Sequence, residues 1–267
     1  LPTADGSDMM GSLRNPAAFN NVIGFRPSQG RGPSPSSGKD LYYDQLATNG
    51  PMGRNVEDTI RLLETMAGYD SLAPLSLRDE IPTYERFHQI KLTKLRIGWM
   101  GDYAGYLPME PGVLNVCEGA LNELSGHGAT IEKCMPSYEM ARLWETWLTL
   151  RHWALSGDRA LYDDPKTRKL IKPELAWEIE GGFGMPAARV SKAAIGRADW
   201  YRALHELLEH YDILALPSAQ VFPFSADIHW PKSISGRAMD TYHRWMEVVI
   251  GGTLAGLPVV NLPAGFD

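Results

Sequence analysis

The chain has 267 residues, of which 44% are hydrophobic and 22% charged, and its formal net charge at pH 7 is −6. These values are typical of a globular protein with a sizeable core, and they exclude the basic surface on which nucleic-acid binding depends. The chain holds only 2 cysteines, Cys117 and Cys134, too few for a disulfide framework or a four-thiolate metal site. We therefore expect a reducing compartment and a cytoplasmic location.

The sequence shows no targeting signal. Residues Leu1–Asp5 contain no basic segment, and no apolar run follows them, so we expect no signal peptide. The most apolar stretch, Val248–Leu262, is interrupted by glycine and proline and is shorter than the ~20 residues of a spanning helix, so no membrane partner is expected. The sequence has no initiator methionine and closes directly after a predicted strand, so we expect a fragment of a longer protein.

The first forty residues are rich in Gly, Pro, Ser and Asn, but apolar residues such as Leu13 and Val22 interrupt them. A flexible linker would not contain so many apolar side chains, so the pattern predicts a buried, loop-rich segment. Asn55, with Asp58 three residues later, then predicts a capped helix that ends near Gly68.

Helices and strands alternate along the rest of the chain. Periodicity predicts, in order, a strand at 95–99, a helix at 111–128, a strand from 130, helices at 140–155 and 186–210, a strand at 212–217, a helix at 242–255 and a strand at 259–262. The 212–217 strand is continuously apolar, which is typical of a strand buried on both faces. The alternation predicts an α/β fold with a mostly parallel or mixed sheet, in one domain over 1–267 with a helical insertion at about 135–186.

The segment richest in chemistry surrounds Ser12. Gly11 allows the tight turn that a serine nucleophile needs, with neighbouring main-chain N–H groups directed at the oxygen that becomes negative. Asp8 and Arg14 flank the turn with opposite charges and could clamp its two ends. Since Ser, Gly and Asp also form ordinary turns, these residues alone favour a structural turn over a catalytic one.

Four blocks of sequence together resemble the signature of the amidase-signature family. Residues Gly6–Arg31 are similar to its G-[ST]-D-x-G-G-S-x-R-x-P-A-x-F followed by V-x-G-x-[KR]-P-[ST]-x-G-R. Gly50–Asp58 is similar to G-P-M-x-R-[ST]-V-x-D, with Asn55 in place of the usual Ser or Thr. Asp212–Pro217 is similar to D-x-[IL]-[LVA]-x-P, and Leu254–Phe266 resembles A-G-x-P-[AV]-x-x-x-P-x-G. The blocks follow the family's order from one end of the chain to the other.

The resemblance implies an amidase with a Ser–cis-Ser–Lys triad, built on a twisted mixed β-sheet flanked by helices. Ser12 matches the nucleophile, and the N–H groups of Met9, Met10, Gly11 and Ser12 match the oxyanion hole. In the family the relay serine and the base lysine lie upstream of the nucleophile, so neither is expected in this chain. Ser7 matches the [ST] of the signature and not the relay serine.

Met10 departs from the family pattern, which usually has glycine there. Its main-chain N–H remains, so we expect the oxyanion hole to survive and the side chain to narrow the site, which affects the choice of substrate. Asp8 and Arg14 match supporting residues that do not act on the substrate. The run D-M-M-G-S-L-R-N-P looks like that of bacterial amidases of broad or uncertain substrate range.

Three functions stay open. The first is hydrolysis of a small-molecule amide through a serine acyl-enzyme, without a cofactor; the second is participation in a glutamine-dependent transamidation complex as an amidotransferase subunit; the third is an inactive homologue that only binds. A homodimer is a further prediction. His205 and His210 are five residues apart, and the histidines show no metal spacing, so no metal site is expected. The residues Trp144, Trp147 and Trp153 favour core packing over a substrate pocket.

Overall fold

The computed structural model describes residues 2–34, 40–43, 45–81, 83–85 and 91–266. Within these residues the strands are β1 (Thr3–Asp8), β2 (Ile23–Arg26), β3 (Thr48–Gly53), β4 (Arg96–Trp99), β5 (Thr130–Lys133), β6 (Ile213–Ala215), β7 (Ser233–Ile234), β8 (Arg237–Ala238) and β9 (Val259–Asn261). The α-helices are α1 (Arg14–Phe19), α2 (Val56–Met66), α3 (Val113–Gly126), α4 (Met140–Leu155), α5 (Arg159–Asp163), α6 (Pro165–Arg168), α7 (Pro173–Gly181), α8 (Ala187–Leu208) and α9 (Ile250–Ala255). Short 3₁₀ helices lie at Leu92–Lys94, Ser156–Asp158 and Arg244–Val249.

The first sheet is antiparallel, with the strand order β1-β3-β2-β9. It joins residues far apart in the sequence, since Gly24 of β2 pairs with Asn261 of β9. Helix α1 and the residue before it pack closely on β2: a Cβ on Gly24 would lie 2.7 Å from Cβ of Ala17 and 2.1 Å from the carbonyl oxygen of Leu13. The predicted loop-rich segment therefore contains two strands and a helix in its described part, while residues 35–39 lie outside the described residues.

The second sheet is parallel, with the order β5-β4-β6. Helix α3 connects β4 to β5, and helices α4 to α8 lie between β5 and β6 in the chain. A short hairpin joins β7 and β8. The predicted α/β class is confirmed. Among the described strands, the four-stranded sheet and the β7–β8 hairpin are antiparallel and the three-stranded sheet is parallel, so the two kinds of pairing lie in separate sheets.

The prediction that the 212–217 strand is buried on both faces is wrong. Only Ile213–Ala215 forms β6, and the side chain of Ile213 is 45% exposed. The strand lies at the edge of its sheet, where it pairs with β4 on one side. A continuous apolar run indicates a strand but does not specify its place in the sheet, which depends on distant pairing.

The helical core forms around α4 and α8, whose Trp147 and Trp200 are completely buried. Helix α4 has the predicted bounds. Trp144 stacks on Trp147 with ring centroids 5.3 Å apart, and Trp153 is half-buried against the same core, so the prediction of core packing is confirmed. Residues 140–181 are mostly helical, from α4 through α7.

The predicted helix at 242–255 is divided into a 3₁₀ helix and α9. The backbone of Met246 leaves helical geometry, with φ −109° and ψ 15°. Beyond this kink the indole N–H of Trp200 donates to the carbonyl oxygen of Gly251 at 2.8 Å, and a side chain at Gly251 would lie 2.9 Å from the Trp200 ring. Glycine therefore lets α9 pack directly against α8.

Candidate active site

Ser12 lies in the loop between β1 and α1, and its side chain is exposed. The residue before it, Gly11, is buried with φ +87°, in the left-handed region that favours glycine. A side chain at Gly11 would lie 2.0 Å from Oδ1 of Asn15. The carbonyl oxygen of Gly11 accepts from the N–H groups of Arg14 and Asn15, at 2.9 and 2.7 Å, and so begins α1. The loop thus presents Ser12 on a turn with one well-defined shape.

Asp8 fixes this turn from the inside. Its carboxylate is fully buried and accepts from the main-chain N–H of Gly11 at 2.7 Å and from that of Leu13 at 3.2 Å. Gly11 is one of the four predicted oxyanion donors, and this bond occupies its N–H. Asp8 does not accept from the N–H groups of the other three predicted donors, Met9, Met10 and Ser12.

Arg14 closes the turn with a two-pronged ion pair. Its Nε donates to Asp8 Oδ2 and its Nη2 to Asp8 Oδ1, both at 2.9 Å, and both side chains are buried. The guanidinium also donates to the carbonyl oxygen of Val249 at 2.6 Å and to Oγ1 of Thr253 at 2.8 Å. Asp8 and Arg14 therefore meet as the sequence predicts, and Arg14 further ties the loop to α9 and the residue before it.

A second buried arginine, Arg26, adds positive charge near the pair. Its Nε lies 3.9 Å from Asp8 Oδ1, and its Nη2 donates to the carbonyl oxygen of Leu46 at 2.9 Å. Burial, together with the nearby charge of Arg14, lowers the pKa of Arg26 to about 10. This value leaves it protonated at neutral pH. Arg26 is the residue that matches [KR] in the family signature. This match is the feature of the sequence that could have indicated a place for Arg26 beside Asp8.

The pKa of Asp8 lies below its ordinary value. Burial alone would raise the pKa of this carboxyl, but the hydrogen bonds and charge of Arg14, the charge of Arg26 and the bond from Gly11 outweigh it. Asp8 is therefore ionised at neutral pH and acts as a fixed acceptor for the loop.

Met10 does not line an open site as expected. Its side chain is 5% exposed and belongs to the main hydrophobic core. Because the turn at Gly11 directs Ser12 outward and the residue at 10 inward, replacement of the family's usual glycine adds core contacts. The neighbouring Met9 is half-buried.

The sequence gives no signal for an ion cluster that touches the loop before Ser12. Arg151 on α4 donates from Nε to Glu178 Oε1 at 2.7 Å and from Nη2 to Oε2 at 3.2 Å. His243 Nε2 lies 2.7 Å from the same Oε1, and Arg151 Nη1 contacts Sδ of Met9. Burial would raise the pKa of Glu178, but the hydrogen bond from His243 and the charge of Arg151 lower it. These residues carry no signature motif and come from separate elements.

Within the described ranges, no three His, Cys, Asp or Glu side chains come close enough to hold a metal ion. His205 and His210 are exposed. In the part of the chain that the structure covers, every helix falls short of the length or the apolarity that a bilayer span requires.

The chain is similar to known proteins along its whole length. The family model for Amidase matches residues 1–267. The A subunit of glutamyl-tRNA(Gln) amidotransferase from Pseudomonas putida is 28% identical over 290 residues, which cover 100% of this chain and 58% of that protein. The corresponding protein from Gloeothece citriformis is 27% identical over 289 residues, covering 98% and 57%. The chain thus spans a little over half the length of the curated relatives it matches.

Solved structures show the same fold at lower identity. A bacterial aryl acylamidase of the amidase signature enzymes matches with a TM-score of 0.87 at 22% identity, covering 100% of this chain and 56% of that one. The A subunit of glutamyl-tRNA(Gln) amidotransferase from Thermotoga maritima matches with a TM-score of 0.75 at 22% identity, with the same coverage. Because the family model extends over the whole sequence and the fold agrees with these enzymes, the chain belongs to the amidase signature family.

Proposed function

We propose that the full-length protein is an amidase with Ser12 as its nucleophile. The observation that supports this most is the exposed Ser12 on a turn that a left-handed Gly11 and the buried Asp8–Arg14 pair hold in place. A nucleophile has to sit on a rigid bend, because its approach to the carbonyl carbon and the placement of the nearby N–H groups must be set before the reaction. The bond from Gly11 to Asp8 and the Asp8–Arg14 ion pair support such a bend at Ser12.

In the proposed reaction Ser12 Oγ attacks the carbonyl carbon of a small-molecule amide and loses its proton to the relay serine and the lysine base. The N–H groups of Met9, Met10 and Ser12 hold the negative oxygen of the tetrahedral intermediate, while that of Gly11 remains on Asp8. The C–N bond then breaks, and the leaving amine takes the proton back through the relay. Water hydrolyses the acyl-enzyme and regenerates the hydroxyl of Ser12.

The relay serine and the lysine belong, by the family resemblance, to sequence upstream of these residues. We therefore propose activity for the full-length protein and none for residues 1–267 in isolation. Turnover of an amide by the isolated 1–267 chain would contradict this division of the active site.

Substitution of the nucleophile tests the proposal. In the full-length protein we expect Ser12→Ala to abolish amide turnover while thermal unfolding stays as in the wild type. The matched control is Ser125→Ala, which removes the hydroxyl of an exposed serine on α3 and should leave kcat unchanged. Turnover by Ser12→Ala within about tenfold of the wild type would rule out the nucleophile.

Transamidation is the second candidate function. The relatives from Pseudomonas putida and Gloeothece citriformis favour it, since both belong to amidotransferases, at 28% and 27% identity. The formal net charge of −6 weighs against a role beside tRNA. Purification from the native cell distinguishes the two. An isolated amidase comes without a stoichiometric partner, whereas a transamidation subunit brings a partner and glutamine-dependent activity with it. A protein that is neither labelled by serine probes nor active would be the binding homologue.

We also propose a reducing, cytoplasmic location and an assembly of two copies. The location is supported by the state of the cysteines, since Cys117 and Cys134 are both free thiols. Burial raises the pKa of Cys117 to about 11, so this thiol is unreactive at neutral pH. Light scattering of the full-length protein tests the dimer directly.

A further inference from the structure

The ion cluster next to the nucleophile loop leaves one nitrogen of the Arg151 guanidinium, Nη1, without a bond to Glu178. The Nε and Nη2 groups of Arg151 donate to the two oxygens of Glu178, so the guanidinium and the carboxylate meet edge to edge in a bidentate pair. The side chain of Glu178 is 3% exposed, and its ionised form is stabilised by its partners. The remaining Nη1 group is thereby directed at Sδ of Met9.

The position of Arg151 is fixed from other sides as well. Its guanidinium lies 6.0 Å from the ring centre of Trp147, which is completely buried in α4. The carboxylate of Glu178 has a further partner besides Arg151: Nε2 of His243, whose side chain is 5% exposed, lies 2.7 Å from Oε1. The two bonds to Glu178 therefore hold Arg151 independently of its contact with the loop.

Met9 is the first residue after β1 and comes three positions before Ser12. The loop is anchored on its inner side by the bond from Gly11 to Asp8, and the contact with Arg151 is a second, separate anchor. Between these two points lies the N–H group of Met10, and the N–H groups of Met9 and Ser12, the other proposed oxyanion donors, lie directly beside them. The directions of these groups depend on the backbone torsions of the loop.

We propose that Arg151 is a positioning residue, which holds Met9 and through it sets the direction of the main-chain N–H groups beside Ser12. This inference rests on the proposed function, since it assigns Arg151 a role in the same reaction. Arg151 touches the loop and not the reacting atoms. Its loss should therefore reduce stabilisation of the transition state more than substrate binding, and lower kcat more than it changes KM.

The first test compares two arginines of α4 in the full-length protein. Arg142 pairs with Asp199 of α8 at 2.6 Å and provides the matched control. We expect Arg151→Met to lower kcat at least about tenfold with KM changed less than about threefold, and Arg142→Met to leave kcat within about twofold. Equal effects of the two substitutions on kcat would overturn the proposal.

Loss of stability must be separated from loss of positioning. Arg151→Met leaves the Glu178 carboxylate buried with His243 as its partner, which is unfavourable for folding. The double variant Arg151→Met/Glu178→Gln removes both charges, so we expect Tm to rise again while kcat stays as low as in the single variant. If kcat recovers along with Tm, the cluster is merely structural and the proposal is wrong.

A double-mutant cycle tests whether Arg151 acts through Met9. Met9→Leu removes the sulfur and keeps a similar volume. We expect the double variant Met9→Leu/Arg151→Met to have the same kcat as Arg151→Met, because both changes break one contact. If the fold-loss of kcat in the double variant equals the product of the losses in Met9→Leu and Arg151→Met, the two side chains act independently and the proposal is contradicted. Fluorophosphonate labelling of the wild-type protein distinguishes failure of this inference from failure of the proposed function. If only the inference fails, Ser12 is still labelled; if the proposed function fails, Ser12 is not labelled.

Discussion

Arg14 Nη2 donates to Oγ1 of Thr253 at 2.8 Å, across a separation of 239 residues. The same guanidinium closes the turn around Ser12 through Asp8. A single buried side chain thus connects the loop that carries Ser12 to α9. The shape of the site therefore depends on the packing of α9 as well as on the local sequence.

Removal of Arg14 should destabilise the whole fold. Arg14→Met leaves the buried carboxylate of Asp8 without its two-pronged partner, and breaking such a pair costs about 3–5 kcal/mol. We expect a loss of this size in the free energy of unfolding, measured by urea denaturation with an unchanged m-value. Arg61→Met, which removes the exposed pair with Glu57 on α2, is the control and should leave the midpoint where it is. Similar midpoints for the two variants would contradict this account of Arg14.

The dependence of the unfolding free energy on pH in acid should reveal the ionisation of Asp8. Its pKa in the folded protein lies below the ordinary 3.8, so the ionised form favours folding. That contribution is complete above the ordinary pKa and is lost as the pH falls through the folded pKa. We therefore expect the unfolding free energy to fall from about pH 5 downward, with a smaller slope in Asp8→Asn. Glu178 acts in the same direction and retains part of the slope. An unchanged slope in Asp8→Asn would refute the assignment.

The turn before Ser12 should tolerate no side chain at position 11. In Gly11→Ala the new methyl would meet Asn15 Oδ1 at 2.0 Å, so the Asn15 side chain or the loop must shift, and the backbone with φ +87° is strained for alanine. We expect at least about a hundredfold loss of kcat and a destabilisation of about 1–3 kcal/mol. The control is Gly119→Ala within α3, where nothing lies within 4 Å and helix propensity predicts a gain of about 0.5–1 kcal/mol. Retention of kcat by Gly11→Ala would show that the turn is not required.

The completely buried indole of Trp147 should be the most sensitive core position tested. Trp147→Ala removes the side chain that stacks on Trp144, and truncation of a buried Trp costs about 3–5 kcal/mol. We expect a lower Tm with a corresponding loss of unfolding free energy. A change in Tm no larger than that of Trp177→Ala, whose side chain is 37% exposed, would contradict the central place of α4 in the core.

Local signals in the sequence were sufficient for several elements. Oδ1 of Asn55 accepts from the N–H of Asp58 at 2.8 Å, as the predicted cap of α2 requires. Helix α4 has the bounds that its periodicity predicts. Both features depend on residues within a few positions of one another, where spacing alone determines which side chains meet.

Features that depend on distant pairing could not be predicted from spacing. The division into separate antiparallel and parallel sheets and the edge position of β6 follow from which strands meet in space. The contact of Arg151 with Met9 joins residues 142 positions apart, and its bond to Glu178 joins residues 27 apart. The bond from Gly11 to Asp8 is local, but the family pattern gave that N–H to the oxyanion. Only the conformation of the turn determines which acceptor it reaches.

The central claim is that the hydroxyl of Ser12 is an activated nucleophile, and covalent labelling tests it most directly. The full-length protein is treated with a fluorophosphonate, digested, and the modified peptide is located by mass spectrometry. We predict one adduct per chain, on the peptide that contains Ser12, and none in Ser12→Ala. Absence of labelling in the wild type, or an adduct that persists in Ser12→Ala, would contradict the assignment.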